Sequence, residues 1–241
     1  MNTLKRINRM LAMTLLMCPG IIRVGGNAGG GLPRFSYTGT YTLIDDGSRN
    51  WRIKFLTSGT FTSEKEITID ICCVGGGAGS GKYACGGGGY VKNYFGIVCQ
   101  AGVSYPVVVG AGGAANYNIQ AGGMSYFALS GQYFANGGAS SAYNIGGNGG
   151  SGGSGMNGYG GSDGANGTGS SPGTGQGTTT REFGEAEGYI YAGGGGHLGG
   201  GVNGGATNGG SGTPNTGGGG GYDCVGAGGS GIVVIRNQRA A

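Results

Sequence analysis

Charge is scarce in this chain. Asp, Glu, Lys and Arg make up 10% of its 241 residues, where about 25% is usual. Disordered segments carry many charges and few aromatics, so 14 Tyr and 7 Phe beside so little charge argue against a plain flexible tail. The net charge of +4 is modest and no basic stripe is interleaved with aromatics, which removes nucleic acid as a partner. Proline is also rare, at 5 residues, which excludes a collagen-like triple helix. Histidine occurs once, at His197, with no carboxylate near it in sequence and no metal-ligand spacing. None of the six cysteines forms a C-x-x-C pair, so a zinc site is not expected. No apolar run approaches the roughly 20 residues that a membrane-spanning helix needs.

What the chain has instead is glycine, 67 residues of it, against an average near 7%. From Gly146 to Gly169 the sequence reads GGNGGSGGSGMNGYGGSDGANGTG, with glycine at 146, 149, 152, 155, 158, 161, 164 and 167. A polyproline II chain has three residues per turn and no internal hydrogen bonds. Glycine at every third position lets neighbouring backbones approach and bond sideways, which satisfies groups that a folded chain must pair. The expectation is a bundle of antiparallel polyglycine II helices joined by loops at its ends. Ordering glycine costs about 1–2 kcal/mol per residue, and net hydrogen-bond gains of about 1 kcal/mol barely match that. Such a bundle needs an anchoring sheet or sister subunits.

The anchor is legible as period-two alternation, the mark of half-buried strands. FSYTGTYTLI alternates Phe35, Tyr37, Tyr41 and Leu43 with small polar residues, and WRIKF sets Trp51, Ile53 and Phe55 against Arg52 and Lys54. ITIDICCV follows the same pattern, with Cys72 and Cys73 facing opposite ways as buried reduced thiols. SYFAL and QYFAN read as a hairpin, and Pro106 marks an edge or a strand start. GIVVIR, at 231–236, is an apolar strand that pairs back into this sheet, so the glycine region becomes an excursion with fixed ends. At the N-terminus, Leu4, Ile7, Leu11 and Leu15 share one helical face before Pro19 and Gly20. A docking helix is the preferred reading; the alternative is a signal-like sequence, although no small-x-small cleavage site follows.

The organisation expected is therefore mainly β: residues 1–31 a docking helix and glycine spacer, 32–136 a small antiparallel β-sandwich-like domain, 137–231 a polyglycine II region, and 232–241 a closing strand and tail. No catalytic constellation appears. GAGSGKY lacks the Ser or Thr that a phosphate loop needs after its lysine, because Tyr83 follows Lys82. Asp45, Asp46 and Gly47 lack the other ligands of a calcium loop and read as a turn. The expectations are no enzyme, no cofactor and no metal.

Several stretches together carry a resemblance. ITIDICCVGGGAGSGKYACGGGGYV, VSYPVVVGAGG, GGMSYFAL and GGGGGYDCVGAGGSGIVVIR, all within about residues 60–236, resemble the glycine-rich domain of bacteriophage and prophage tail-fibre and tail-tip proteins. Related modules resemble stacked polyglycine helices whose end loops touch a bacterial receptor. The resemblance implies a virion tail protein assembled in the host cytoplasm. It also implies homo-oligomeric assembly, other tail proteins as partners, and a glycan or envelope protein of the host cell surface as the target. The competing reading is a purely structural virion protein, a head or tail decoration or a filament subunit. Ser170 to Leu198 interrupts the glycines with most of the charge of the C-terminal half. Tyrosine among small residues gives contact area at low entropy cost, so the candidate receptor contacts are Tyr143, Tyr159, Arg181, Glu182, Tyr189, Tyr191 and His197. An ordinary solvated hairpin is the alternative for that stretch.

Overall fold

The computed structural model describes residues 32–45, 50–81, 84–116, 120–128, 132–139, 181–197, 203–207, 209–222 and 225–239. Ten strands follow in chain order: β1 (Phe35–Tyr37), β2 (Tyr41–Asp45), β3 (Trp51–Phe55), β4 (Gly59–Ser63), β5 (Ile67–Val74), β6 (Val91–Cys99), β7 (Ser104–Val108), β8 (Ser125–Phe127), β9 (Tyr133–Ala135) and β10 (Ile232–Asn237). They form two antiparallel sheets of five, ordered β1-β4-β7-β8-β9 and β2-β3-β10-β5-β6.

The alternation read from the sequence is what closes the space between the sheets. Trp51, Ile53 and Phe55 on β3, Ile69, Ile71 and Cys73 on β5, and Val233 and Ile235 on β10 meet Phe35, Phe61, Val107 and Phe127 of the other sheet. Phe61 lies edge-on to Phe55 at 5.8 Å and 6.1 Å from Phe127, which ties both sheets to one aromatic centre. Burying each such ring contributes on the order of 2–3 kcal/mol. Cys72 and Cys73 do face opposite ways: Cys73 enters this core, and Cys72 joins a second cluster with Val74, Val234, Phe183 and Tyr191. Cys72, Cys73, Cys85 and Cys99 are buried free thiols.

β10 is the last strand and sits at the centre of its sheet. It pairs Val233 with Phe55 of β3 and with Cys73 of β5, and Ile235 with Ile53 and Ile71. The chain therefore cannot complete this sheet until the glycine excursion has returned.

Two expectations are corrected. A helical bundle is not seen among the described residues: the one helix there is a single 3₁₀ turn, Glu182–Gly184. The glycine segments lack an internal ladder because their N–H groups donate sideways to neighbouring segments. Residues 1–31, where the N-terminal docking helix is expected, and the strict glycine repeat at 146–169 lie outside the described residues. Pro106 stands in β7, an inner strand, opposite Thr60 of β4. The Ala128 N–H reaches the Pro106 carbonyl at 2.8 Å, proline has no N–H to return that bond, and the pairing with β8 stops there, at Val107 and Val108.

Candidate functional site

Glycine segments leave the same end of both sheets, and their backbone bonds give the arrangement its direction. From β5 the chain continues as 75–81 and returns as 84–90 into β6. Gly75 donates to the Tyr90 carbonyl at 3.0 Å, Ala78 to Gly87 at 2.8 Å, and Gly81 to Ala84 at 2.9 Å. The residues between serve other neighbours. Gly76 and Gly79 donate to Gly123 and Gln120 at 2.9 and 3.0 Å, whereas Gly77 and Ser80 donate to Gly229 and Gly226 at 2.9 and 2.8 Å. Each neighbour is thus met at every third residue.

The other segments continue the pattern. Gly219 donates to Gly193 at 2.8 Å, Gly86 to Gly220 at 2.9 Å, Gly228 to Gly113 at 2.8 Å and Ala206 to Gly219 at 2.9 Å. Glycine is required because the backbones nearly touch: a Cβ on Gly219 would stand 1.9 Å from the Gly86 carbonyl oxygen.

One end of this layer lies on the sheets. There Gly231 donates to Gly110, Gly89 to Gly217 and Ala192 to the Thr216 carbonyl, each at 2.8 Å. Asn215, held at φ +58°, secures that base by donating its side-chain amide to the Leu56 carbonyl at 2.7 Å. The opposite end carries the described residues at which these segments stop, Gly81, His197, Thr207 and Tyr222. It holds His197 and Tyr222, whose rings lie 3.7 Å apart, and Val225, which is 63% exposed. The ends of the described chain emerge at the other pole of the sandwich, where Glu64 bonds Arg34 at 2.9 Å and Gln238 bonds Thr68 at 3.2 Å.

A second cluster lies on the outer face of the β2-β3-β10-β5-β6 sheet, under the turn formed by residues 181–191. Arg52 and Lys54, the polar half of β3, reach up to it. Glu182 accepts from Arg52 at 2.6 Å, Lys54 at 2.7 Å and the Tyr191 hydroxyl at 2.6 Å. Glu185 accepts from Arg52 at 2.6 Å, from Arg239 at 2.8 Å and from Arg236. Arg236 also meets the buried Asp70 at 3.0 Å. Phe183, at φ +57°, tucks beneath the Arg236 guanidinium at 4.1 Å.

Burial alone would raise the pKa of both glutamates. Lys54, Tyr191 and Arg52 around Glu182, and Arg52 and Arg236 around Glu185, outweigh it and hold both below the usual carboxylate range. The cluster clips the turn at residues 181–191, midway along the glycine excursion, onto β3, β5 and β10.

These positions sort the residues singled out in the sequence. Tyr143 and Tyr159 lie outside the described residues. Arg181 fastens the turn through the Ala186 carbonyl at 2.8 Å. Glu182 and Tyr191 are buried, at 1% and 2% exposure, and their polar atoms are spent inside the clip. Tyr189 is exposed, its ring 4.8 Å from that of Tyr191. His197 belongs to the loop end, apart from the clip. Tyr222 and Val225 went unread in the sequence, as did the clip's Arg52, Lys54, Asp70 and Arg236; an acid inside the apolar run ITIDICCV was the signal for a buried ion pair.

A sandwich that carries laterally bonded glycine segments defines a glycine-rich domain protein. The family model described as glycine-rich domain matches residues 56–238, more than half of the chain, and the chain belongs to that family. No curated protein matches it.

Proposed function

We propose that this protein is a bacteriophage tail-fibre or tail-tip component that presents the loop end of its glycine layer to a receptor on the host cell surface. The observation that carries the reading is polarity. Gly81, His197, Thr207 and Tyr222 gather at one pole, while residues 32–34 and 237–239 lie at the other. A rigid scaffold with loops at its tip is where binding residues usually sit, and attachment at the opposite pole leaves those loops free. The paired rings of His197 and Tyr222, with exposed Val225 beside Tyr222 in sequence, offer an amphipathic surface of the kind that suits a glycan.

We further read the glycine layer as polyglycine II packing. Its support is the rotation of hydrogen-bond partners with a period of three, the period of that helix. A loop platform of this kind binds weakly per copy, and many copies on one particle multiply the strength by roughly 10²–10⁴.

Purified protein added to host cells before infection should block adsorption of the phage that carries it. A variant with His197→Ser, Tyr222→Ser and Val225→Ser should keep the fold and lose the block. Failure of the parent protein to compete, or equal competition by the variant, refutes the reading.

A further inference from the structure

β6 is one of the two edges of its sheet among the described residues, and at nine residues it is the longest strand described. Its first half is covered: Tyr90 bonds Asn136 at 2.9 Å, and the Tyr94 hydroxyl bonds both the carbonyl and the N–H of Phe134, at 2.8 and 3.1 Å. No described strand pairs with the outer side of the second half. At Gly96, φ +69°, the pairing with β5 shifts, and the Gly96 N–H turns to the Asp70 carboxylate at 3.1 Å. Phe95 and Val98 both stand on the outer face here, at 57% and 49% exposure, followed by Val103 at 45%. These are three of the five large apolar side chains exposed among the described residues. From Tyr94 to Tyr105 the chain has no charged residue.

Sheet edges are usually guarded by lysine, proline, a bulge or a cover, and an unguarded apolar edge is a template for another strand. Beyond the bulge at Gly96, Ile97–Cys99 resume regular pairing with Ile67–Ile69 and carry none of these guards. We propose that the second half of β6, Phe95–Cys99, pairs antiparallel with the same segment of a second copy. The charge pattern selects that occupant. A two-fold contact brings each patch against itself, which a one-signed edge would oppose and a charge-free edge permits. Antiparallel pairing also continues one sheet through both copies, so Phe95 and Val98 of each meet on a common outer face. The contact is small, and interfaces under about 1,200 Å² are weak and transient. Association is therefore expected in the micromolar range. This inference stands apart from the receptor reading, since it concerns the opposite pole from the loops.

The test is sedimentation equilibrium of the full chain over a wide concentration range, with Val98→Lys and Phe95→Lys, and with Tyr189→Ser as an exposed aromatic elsewhere. The expected result is a concentration-dependent dimer that either lysine weakens at least about tenfold and that Tyr189→Ser leaves unchanged. A monomer at every concentration overturns the proposal, whether the edge is bare or covered by residues 1–31. A dimer that both lysines leave intact overturns it as well. If the lysine variants fail to fold, amide exchange of the parent decides: slowing at Phe95–Cys99 with rising concentration supports the contact, and rates independent of concentration refute it.

Discussion

Replacing Gly219 by alanine would put a methyl group into backbone. Its Cβ would lie 1.9 Å from the Gly86 carbonyl oxygen and 2.9 Å from the Gly195 nitrogen. Those atoms belong to main chain on either side, so no side chain can swing away, and the segments must part by about an ångström. Three bonds share that space: Gly219 to Gly193 at 2.8 Å, Ala206 to Gly219 at 2.9 Å and Gly86 to Gly220 at 2.9 Å. Lengthened that far, none remains a hydrogen bond. Each is worth about 1 kcal/mol net, and more where a buried group is left unmet, so the loss is about 3–6 kcal/mol. Stiffening the unfolded chain returns about 0.4–1 kcal/mol. The net destabilisation of about 2–5 kcal/mol should lower the unfolding temperature by about 5–15 °C. Gly123→Ala is the milder comparison, because its Cβ would come no closer than 3.0 Å to main chain, an approach that a shift of a few tenths of an ångström relieves; its cost should be well below that of Gly219→Ala. Thermal unfolding followed by circular dichroism measures both. A Gly219→Ala protein that melts at or above the parent temperature refutes the reasoning.

The clip supplies two further predictions. Glu182→Ala should destabilise by about 2–4 kcal/mol in urea titrations, because it strands Arg52 and Lys54 beneath the turn; both keep some solvent contact, which holds the cost below that of a fully dry pair. Both clip glutamates have folded pKa values below the unfolded value of about 4.3. Their contribution is therefore complete above about pH 4.3 and lost as pH falls through the lower folded values, so urea midpoints should drop on acidification, and by less in Glu182→Gln. Burial pushes the Cys72 and Cys99 thiols up to about 12 and Cys73 well above its ordinary value; peptide mapping after alkylation near pH 8 should find all three unmodified in the native protein and modified in denaturant. Ile235→Ala, at the centre of β10, should cost about 2–5 kcal/mol by the same urea measurement.

The strands were readable because their alternation is local. Trp51, Ile53 and Phe55 declare a face without reference to any partner, and the β-branched run at 232–235 declares a strand that must be buried on both sides. The glycine layer was harder. The triplet repeat at 146–169 suggested where ordered glycine should be, yet the bonds described join segments 75–90, 110–123 and 192–231, where spacing is irregular. The period-three change of hydrogen-bond partner belongs to the backbone in space, and positions among the glycines also take alanine, serine or cysteine, as at Ala78, Ser80 and Cys85. The residues of the clip were least legible. Glu182 and Tyr191 looked like a polar surface because sequence shows no partner, while Arg52 and Lys54, about 130 residues away, hold them inside. Phe183 gave no clue either, since its left-handed backbone is imposed by the turn that fits it under Arg236.

Everything rests on bare main chains binding one another sideways. Residue-resolved amide exchange of the native protein tests this most directly. Gly77, Gly86, Gly219 and Gly229 each donate to a neighbouring segment at 2.7–2.9 Å, so their amides should exchange orders of magnitude more slowly than in an unstructured peptide, in step with Val233 and Ile235 of β10. Exchange at these four positions as fast as in a free glycine peptide, beside a protected β10, would contradict the account.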